Sequence, residues 1–238
     1  MTKQKEKAVD VNDLLDEIFS DVPYDAEIEV TLPSGKTAKI RPITFEEEKQ
    51  ILSLSKKGGD PSFVLIDKCV SDIDKNDILL IDKVYLLFKL RELSFGSMYK
   101  FIVGCPSCNK DQNIEIDLNE MPVNSIENFK KVVDIELPLS KKTAKVRLAS
   151  VHDEKWISDP EVLLDNLWRF VEDFHGHDNA ILIQGAIKRM TAGDVNKLVS
   201  TVMCDGFGLS TEVRVICPHC NSDTVMELPL GKNFFSVS

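Results

Sequence analysis

The chain has 238 residues, with 29 Lys and Arg against 39 Asp and Glu, so its formal net charge is −10 at pH 7. With 43 % hydrophobic residues it can bury the core of one or two domains, which excludes disorder over most of its length. The acidic balance argues against sequence-independent binding to duplex nucleic acid, because that binding relies on Lys and Arg neutralising phosphates. No apolar run approaches the roughly 18 residues that span a bilayer, so we expect no membrane partner.

The segment before residue 25 has the spacing of an amphipathic helix. From Val9 to Phe19, apolar residues recur three and four positions apart, and Asp and Glu occupy the opposite face. Such a helix either docks into the groove of a partner protein or covers the core of its own chain, and the sequence leaves both open. The charged residues 1–7 precede no apolar signal core, which predicts a cytoplasmic location.

A first α+β unit is predicted after this extension. Residues 27–41 alternate apolar and polar side chains around a turn at Pro33–Gly35, which is the pattern of a β-hairpin. Thr44 and Glu47 have the spacing of a capping box and predict the start of a helix that ends near Gly58. Two further helices are predicted, one beginning at Pro61 and one spanning residues 77–93.

The second half of the chain repeats the first. Residues 134–147 match residues 27–41 almost letter for letter, with an offset of 107 at the start and 106 further on. We expect a second hairpin here, followed by helices over residues 160–174, 179–190 and 191–204. The predicted fold is therefore α+β and internally duplicated. Its predicted divisions are an N-terminal extension (1–24), repeat 1 (25–123) and repeat 2 (124–238).

Each repeat closes on a Cys-Pro-x-Cys knuckle, one at Cys105 and Cys108 and one at Cys217 and Cys220. Strand patterns flank both knuckles, as in zinc-ribbon hairpins, over residues 98–103, 113–118, 212–216 and 224–228. One knuckle supplies two thiolates and tetrahedral zinc needs four, so the two knuckles are predicted to share one structural Zn²⁺. A pseudo-twofold arrangement of the repeats would explain why 108 residues separate them.

Simpler readings of these residues stay open. Each knuckle could hold reduced thiols or a redox pair instead of zinc, and the two could lie apart. Cys69 and Cys204 lie in apolar helical patterns and are interpreted as small buried hydrophobic residues. His219 is interpreted as exposed, because a fourth cysteine already completes the ligand set.

No nucleotide-binding loop, dinucleotide fingerprint, nucleophile elbow or zinc-protease motif occurs in the sequence. The nearest candidate for catalysis is the His175 and His177 pair, which we interpret as a solvated turn. The chain is therefore expected to lack enzymatic activity.

Five segments together resemble the baseplate hub assembly family of contractile-tailed phages of the T-even type. They are the hairpin and helix start at residues 28–49, the helix at Tyr85–Arg91, the two Cys-Pro-x-Cys knuckles, and Asn233–Phe235. The resemblance covers nearly the whole chain from residue 28, and the charged extension before residue 25 departs from it.

This resemblance implies a non-enzymatic assembly factor or structural component of the tail. Its partners would be other baseplate or hub proteins, met in the host cytoplasm, with the finished tail as a further location. The alternative is a zinc-ribbon regulator that binds nucleic acid through Lys100, Lys110 or Arg214, against which the net charge of −10 stands. A second alternative is a metal-dependent enzyme that uses His175 and His177 together with carboxylates.

Overall fold

The computed structural model of the chain describes residues 26–230 and 232–235, together with Leu14, Leu15, Glu17 and Ile18. Its α-helices are α1 (Phe45–Lys56), α2 (Ser62–Cys69), α3 (Leu80–Phe95), α4 (Pro160–Asn166), α5 (Ala180–Ile187) and α6 (Ala192–Val202). Its strands are β1 (Ile28–Thr31), β2 (Thr37–Ile40), β3 (Val70–Ser71), β4 (Met98–Gly104), β5 (Asp111–Asp117), β6 (Val123–Asn124), β7 (Val132–Glu136), β8 (Thr143–Arg147), β9 (Val171–Phe174), β10 (Gly208–Leu209), β11 (Glu212–Ile216) and β12 (Asp223–Glu227). The chain is thus a mixed α+β protein, as the sequence predicts.

The predicted N-terminal helix, Val9 to Phe19, lies mostly outside the described residues. The four described positions within it are helical. None of the helices in the described part of the chain is long and apolar enough to cross a membrane.

Two three-stranded antiparallel sheets carry the predicted hairpins. In the first sheet β1 pairs with β2, with Val30 opposite Ala38, and β3 pairs with the other edge of β2. In the second sheet β7 pairs with β8, with Ile135 opposite Ala144, and β9 pairs with β8. Alternate residues of both central strands are buried, as expected for strands with one face against a core. Both hairpin predictions are confirmed.

The third strand of each sheet was missed, and β9 corrects the helix predicted for residues 160–174. The helix ends at Asn166, residues 167–170 form a 3-10 helix, and Val171 begins the strand. A short apolar run fits a buried helix or a strand equally well by periodicity. Pairing of Val171 with Val146 of β8, a contact between distant positions in the chain, selects the strand.

A hydrophobic core fills each half. In the first half, the helices α1, α2 and α3 pack on the first sheet through fully buried side chains such as Ile40, Leu65 and Leu86. In the second half, α4, α5 and α6 contribute to a separate core that contains Leu167 and Phe170. Burial of these apolar side chains supplies most of the stabilisation of each half.

An arginine at the end of the second strand of each hairpin makes the same largely buried ion pair. Arg41 donates two hydrogen bonds to Glu47 at 3.1 and 2.7 Å, and Arg147 donates two to Asp153 at 2.7 and 3.0 Å. Each acid also accepts a backbone N–H three residues before it, which completes a capping box. The capping box predicted for Thr44 and Glu47 is confirmed.

The last helix of each half holds the hairpin turn with a buried carboxylate. Asp82, in the first turn of α3, accepts the backbone N–H of Ser34 at 3.0 Å. Asp194, in the first turn of α6, accepts the N–H groups of Leu139 at 2.8 Å and Ser140 at 3.1 Å. Burial raises the pKa of Asp82. Burial also opposes ionisation of Asp194, but the hydrogen bonds from the turn outweigh it and lower the pKa of that carboxyl.

Two antiparallel ribbons, β4–β5 and β11–β12, follow the helices of their respective halves. Tyr99 of the first ribbon and Val213 and Val215 of the second belong to the same buried core as the first sheet. The end of the chain joins this core as well, because the Phe234 ring packs 5.0 Å from Phe88 and 5.1 Å from Tyr99. The second ribbon and the chain end therefore complete the core of the first half.

Backbone hydrogen bonds join the two halves at a second place. The Leu80 N–H donates to the Ala149 carbonyl at 3.2 Å, and the Val151 N–H donates to the Ile78 carbonyl at 3.0 Å. Lys83 strengthens this junction by pairing with Asp60 of the first half and Glu154 of the second. These contacts fix the relative position of the halves and so the positions of the two knuckles.

Candidate metal centre

Both knuckles fold into the same tight turn. The Asn109 N–H donates to the Cys105 carbonyl at 2.8 Å, and the Asn221 N–H donates to the Cys217 carbonyl at 2.9 Å. Both asparagines have positive φ, +55° and +56°, in the left-handed region that asparagine tolerates better than most residues. Asparagine therefore closes each turn. The turn directs both sulfurs of a knuckle to one side.

The two ribbons bring their knuckles together. Their four sulfur atoms all lie within 4.8 Å of one another; they belong to Cys105, Cys108, Cys217 and Cys220. Two of the distances between the knuckles are 3.7 Å, from Cys105 Sγ to Cys220 Sγ, and 3.8 Å, from Cys108 Sγ to Cys217 Sγ. The reading in which the knuckles lie apart is therefore wrong.

These distances suit tetrahedral thiolate coordination. A zinc–sulfur bond of about 2.3 Å implies sulfur–sulfur edges of about 3.8 Å around a tetrahedral ion. The two distances between the knuckles, 3.7 and 3.8 Å, match that edge. Cys105 and Cys217 are buried, Cys108 is half-buried and Cys220 is exposed, so the cluster lies at the protein surface with one side open to solvent.

Hydrogen bonds favour the thiolate form of two of the cysteines. The Ser222 hydroxyl and the backbone N–H groups of Cys108 and Ser107 lower the pKa of Cys105 to about 6. Ser222 likewise lowers the pKa of Cys220 through its hydroxyl and its backbone N–H. A thiolate is the form that binds a metal, so this environment assists coordination.

Cys108 behaves differently from its neighbours. The backbone N–H of Lys110 favours its thiolate, but burial and the nearby cysteine sulfurs outweigh that bond and raise the pKa to about 11. Four thiolates in such close contact repel one another, and a divalent cation removes the repulsion.

Ser222 is a component of the site that sequence reasoning missed. Its Oγ lies 3.3 Å from Cys105 Sγ and 3.4 Å from Cys220 Sγ, so one hydroxyl links sulfurs of both knuckles. The corresponding position of the first knuckle is Lys110, two residues after the second cysteine in each case. Aligning the two knuckles thus shows that Ser222 and Lys110 are equivalent positions. Only the folded structure shows that the Ser222 hydroxyl lies between the two knuckles.

The remaining cysteines lie elsewhere and are buried, as predicted. Cys69 and Cys204 are 2 % and 6 % exposed, and burial raises the pKa of each thiol to about 12. Thiols in such surroundings are poor metal ligands and poor nucleophiles.

The histidines do not extend the site. His219 is exposed, as predicted, and no other group of three or more His, Cys, Asp or Glu side chains clusters in this way within residues 26–230. His175 and His177 are exposed in a turn closed by the hydrogen bond from the Phe174 N–H to the His177 carbonyl at 2.8 Å. The turn interpretation of this pair agrees with that geometry.

Fold and cluster together define a class of protein: an α+β chain whose two knuckle ribbons converge on one four-cysteine cluster. Residues 25–236 match the family described as T4 bacteriophage base plate protein. Since this match covers most of the chain, the chain belongs to that family, and the predicted resemblance to a T-even baseplate family is confirmed. No curated protein and no solved structure shows a significant similarity to the chain.

Family membership assigns a phage baseplate role, in structure or in assembly, and implies contact with other tail proteins. The N-terminal extension lies outside the matched residues.

Proposed function

We propose that the chain is a non-enzymatic hub protein of the baseplate, either an assembly factor or a structural component, held in shape by one structural Zn²⁺. The observation that carries the proposal is the convergence of Cys105, Cys108, Cys217 and Cys220 in a member of the baseplate family. Four thiolates leave zinc no open position for water or substrate. The site therefore suits folding and not catalysis.

The proposed zinc acts as a link between distant parts of the chain. Each knuckle supplies two ligands, and the knuckles belong to ribbons from different halves of the chain. The free energy of metal binding then contributes to joining the halves. This role explains why the four ligands are split into pairs 108 residues apart.

We also infer that the two halves arose by duplication. The sheet order and hairpin pairing agree between the halves, and so do the ion pairs of Arg41 and Arg147 and the turn-binding carboxylates Asp82 and Asp194. Asp82 and Asp194 are 112 positions apart, which equals the offset between Cys105 and Cys217. Conserved spacing of buried polar groups supports duplication more strongly than shared element order does.

The proposed partners are other baseplate or hub proteins, met in the host cytoplasm during assembly and retained in the tail if the chain is a component. The N-terminal segment, Val9 to Phe19, is the proposed docking helix. Its described apolar side chains support this, because Leu14, Leu15 and Ile18 are 44 %, 45 % and 65 % exposed.

The alternative of a nucleic-acid-binding zinc ribbon is less well supported. Two of its three proposed phosphate contacts are already paired on the ribbon surface: Lys100 lies 3.3 Å from Glu115, and Arg214 pairs with Asp223. A duplex-binding face needs cations that are free to neutralise phosphates.

Genetic complementation tests the assembly role. Deletion of the gene from the phage that encodes the chain should prevent completion of baseplates, as seen by electron microscopy of infected-cell lysates. Wild-type chain supplied in trans should restore them, Cys105→Ser should restore few, and Cys69→Ala should serve as the matched control that restores them fully. Normal numbers of complete baseplates without the chain would rule the assembly role out.

A further inference from the structure

Helix α5 exposes an apolar face that the rest of the described chain does not cover. Its single polar residue is Gln184, yet Ile181 is 80 % exposed and Leu182 is 42 % exposed. Helices that are apolar on all sides are normally buried on all sides. Only Ile183 of α5 is fully inside the core of the second half.

A groove runs beside this face. Leu164 and Trp168, at the end of α4 and just after it, line a cavity of about 210 Å³ together with Gln184, Ile187 and Lys188. Ile181, Gln184 and Lys188 lie three and four positions apart and so share one face of α5. Gly185 is exposed on the same helix, with no atom within 4 Å of where a Cβ would stand, so another backbone can approach closely.

Positive charge borders the groove. Lys188 belongs to its lining, and the Arg169 guanidinium lies 4.5 Å from the centre of the ring of Trp168, another lining residue. Arg169 and Lys188 form no ion pair among the described residues. Asp165 is the acid in the lining. The groove is thus locally cationic in a chain of net charge −10.

We propose that the α5 groove binds the N-terminal segment, residues 9–19, of a second copy of this chain. The segment is acidic, with Asp10, Asp13 and Asp16, and complements the cations of the groove. Its apolar residues match the apolar floor in the way that an amphipathic helix fits a groove. Leu14 and Ile18 are exposed on their own chain, so this contact is made between chains.

The larger apolar cleft of the second half fits this occupant less well. It has a volume of about 320 Å³ and lies between the second sheet and α6, with Cys204 in its lining. Its lining contains two lysines, Lys130 and Lys197, and two acids, Glu127 and Asp205, so its formal charges cancel. Charge therefore selects the α5 groove over this cleft.

The inference rests on the docking role proposed above for the N-terminal segment and names its receptor. Because the segment and the groove are different surfaces, each copy presents one of each, and the contact is heterologous. Such contacts build rings or head-to-tail chains, and do not close as a twofold dimer.

A peptide of residues 8–21 provides the direct test, with the full-length chain held at a concentration where it is monomeric. The sequence has two tryptophans: Trp168 lines the groove, and Trp156 packs against Arg169. Intrinsic fluorescence therefore reports binding at the groove through Trp168. We expect a saturable change. Ile181→Asp should raise the Kd by about tenfold or more, as expected for an anchor residue. An aspartate at position 181, the second residue of α5, interacts favourably with the positive end of the helix dipole, so we expect Ile181→Asp to fold.

Ile102→Asp is the matched control, because Ile102 is 70 % exposed on the outer face of β4, away from the groove. This variant should bind the peptide as the wild type does. An equal loss in both variants, or no saturable binding to the wild type, would overturn the proposal.

Charge exchange tests the electrostatic part. Lys188→Glu should weaken binding of the wild-type peptide and should strengthen binding of a peptide in which Asp13 and Asp16 are replaced by lysine. Loss of binding to both peptides would show that Lys188 does not face the segment. Binding that is lost in Ser200→Asp, which alters the lining of the larger cleft, and kept in Ile181→Asp would place the peptide in that cleft and contradict the proposal.

Complementary variants test the contact between whole chains. Ile18→Asp removes the segment's apolar anchor and leaves the groove, whereas Ile181→Asp removes the groove and leaves the segment. In sedimentation velocity, neither variant should self-associate alone, and their mixture should form a one-to-one dimer. No dimer in the mixture, with association to tail proteins intact, would refute the second-copy contact and leave the proposed function standing.

Discussion

The Glu47 carboxylate illustrates how a single charged residue supports the fold. It accepts hydrogen bonds from Arg41 at 2.7 and 3.1 Å and from the Thr44 N–H at 2.9 Å, with only 9 % of its side chain exposed. The Arg41 hydrogen bonds outweigh the effect of burial, and with the Thr44 N–H they lower the pKa of Glu47 to about 2. Its ionised form is therefore more stable in the folded chain than in the unfolded chain.

We predict that Glu47→Gln lowers the free energy of unfolding by roughly 2 to 3 kcal/mol at pH 7. Because the folded pKa is below the unfolded value of about 4.3, the wild type loses this stabilisation as the pH falls from about 5 towards 2. Urea unfolding of the wild type and of Glu47→Gln between about pH 5 and about pH 2 measures the difference in the free energy of unfolding. Glu46→Gln, at a position 71 % exposed, should show almost no difference. A Glu47→Gln effect that persists unchanged at pH 2 would contradict the account.

Gly208 lies where the backbone of β10 meets α3. Its φ is +87°, and a Cβ there would stand 2.9 Å from the Cβ of Ile81. We predict that Gly208→Ala destabilises the chain by about 2 to 4 kcal/mol through backbone strain and overpacking. Gly35→Ala is the control, because Gly35 also has positive φ but has no atom within 4 Å of its Cβ position, and it should cost about 1 kcal/mol. Thermal unfolding compares the stability of the two variants. If Gly208→Ala and Gly35→Ala lost equal stability, the contact with Ile81 could not be the cause of the Gly208→Ala effect.

At the scale of elements, the two ribbons depend on the metal that they are proposed to share. We predict one zinc ion per chain by native mass spectrometry. Cys105→Ser and Cys220→Ser should each lose the ion and several kcal/mol of stability, because metal binding is part of the folding free energy. A chelator should lower the melting temperature of the wild type and leave these variants almost unchanged.

Cys69→Ala is the matched control for the zinc prediction, since Cys69 is a buried cysteine outside the cluster. It should retain one ion and full sensitivity to the chelator. Two ions per chain, or none, would be incompatible with a shared site.

The sequence predicted the hairpins and knuckles because their signals are local. Alternating side chains, turn residues and Cys-Pro-x-Cys spacing all act within about fifteen residues. It missed β3 and β9, which are short and are strands only because they pair with β2 and β8. Asp82 and Asp194 were missed for the same reason: each looks like an ordinary first-turn acid until the fold brings a hairpin turn to it.

The candidate site shows the same division. The four cysteines could be named from spacing, but the Ser222 hydroxyl between Cys105 and Cys220 could not, because that contact exists only when the ribbons meet. Nor does composition reveal the exposed face of α5, since its pattern reads as a buried helix.

At the scale of the whole molecule, neither half contains a complete cysteine cluster, and the core of the first half is complete only with residues of the second. We predict that residues 25–123, expressed separately, lack cooperative unfolding, because Val213, Val215 and Phe234 of the second half belong to their core. Mixed with residues 124–238 and zinc, this fragment should form a one-to-one complex with one ion. Circular dichroism melts and native mass spectrometry measure this. A cooperative transition in fragment 25–123 alone would contradict it.

The position of Phe234 against Phe88 and Tyr99 also has a consequence for synthesis of the chain on the ribosome. At 5–20 residues per second, roughly 7 to 27 s pass between the emergence of Tyr99 and that of its aromatic partner. During that interval the nascent first half presents apolar surface and two unmatched thiols. Premature termination near the end of the message would therefore yield an aggregation-prone product in place of a shortened but working protein.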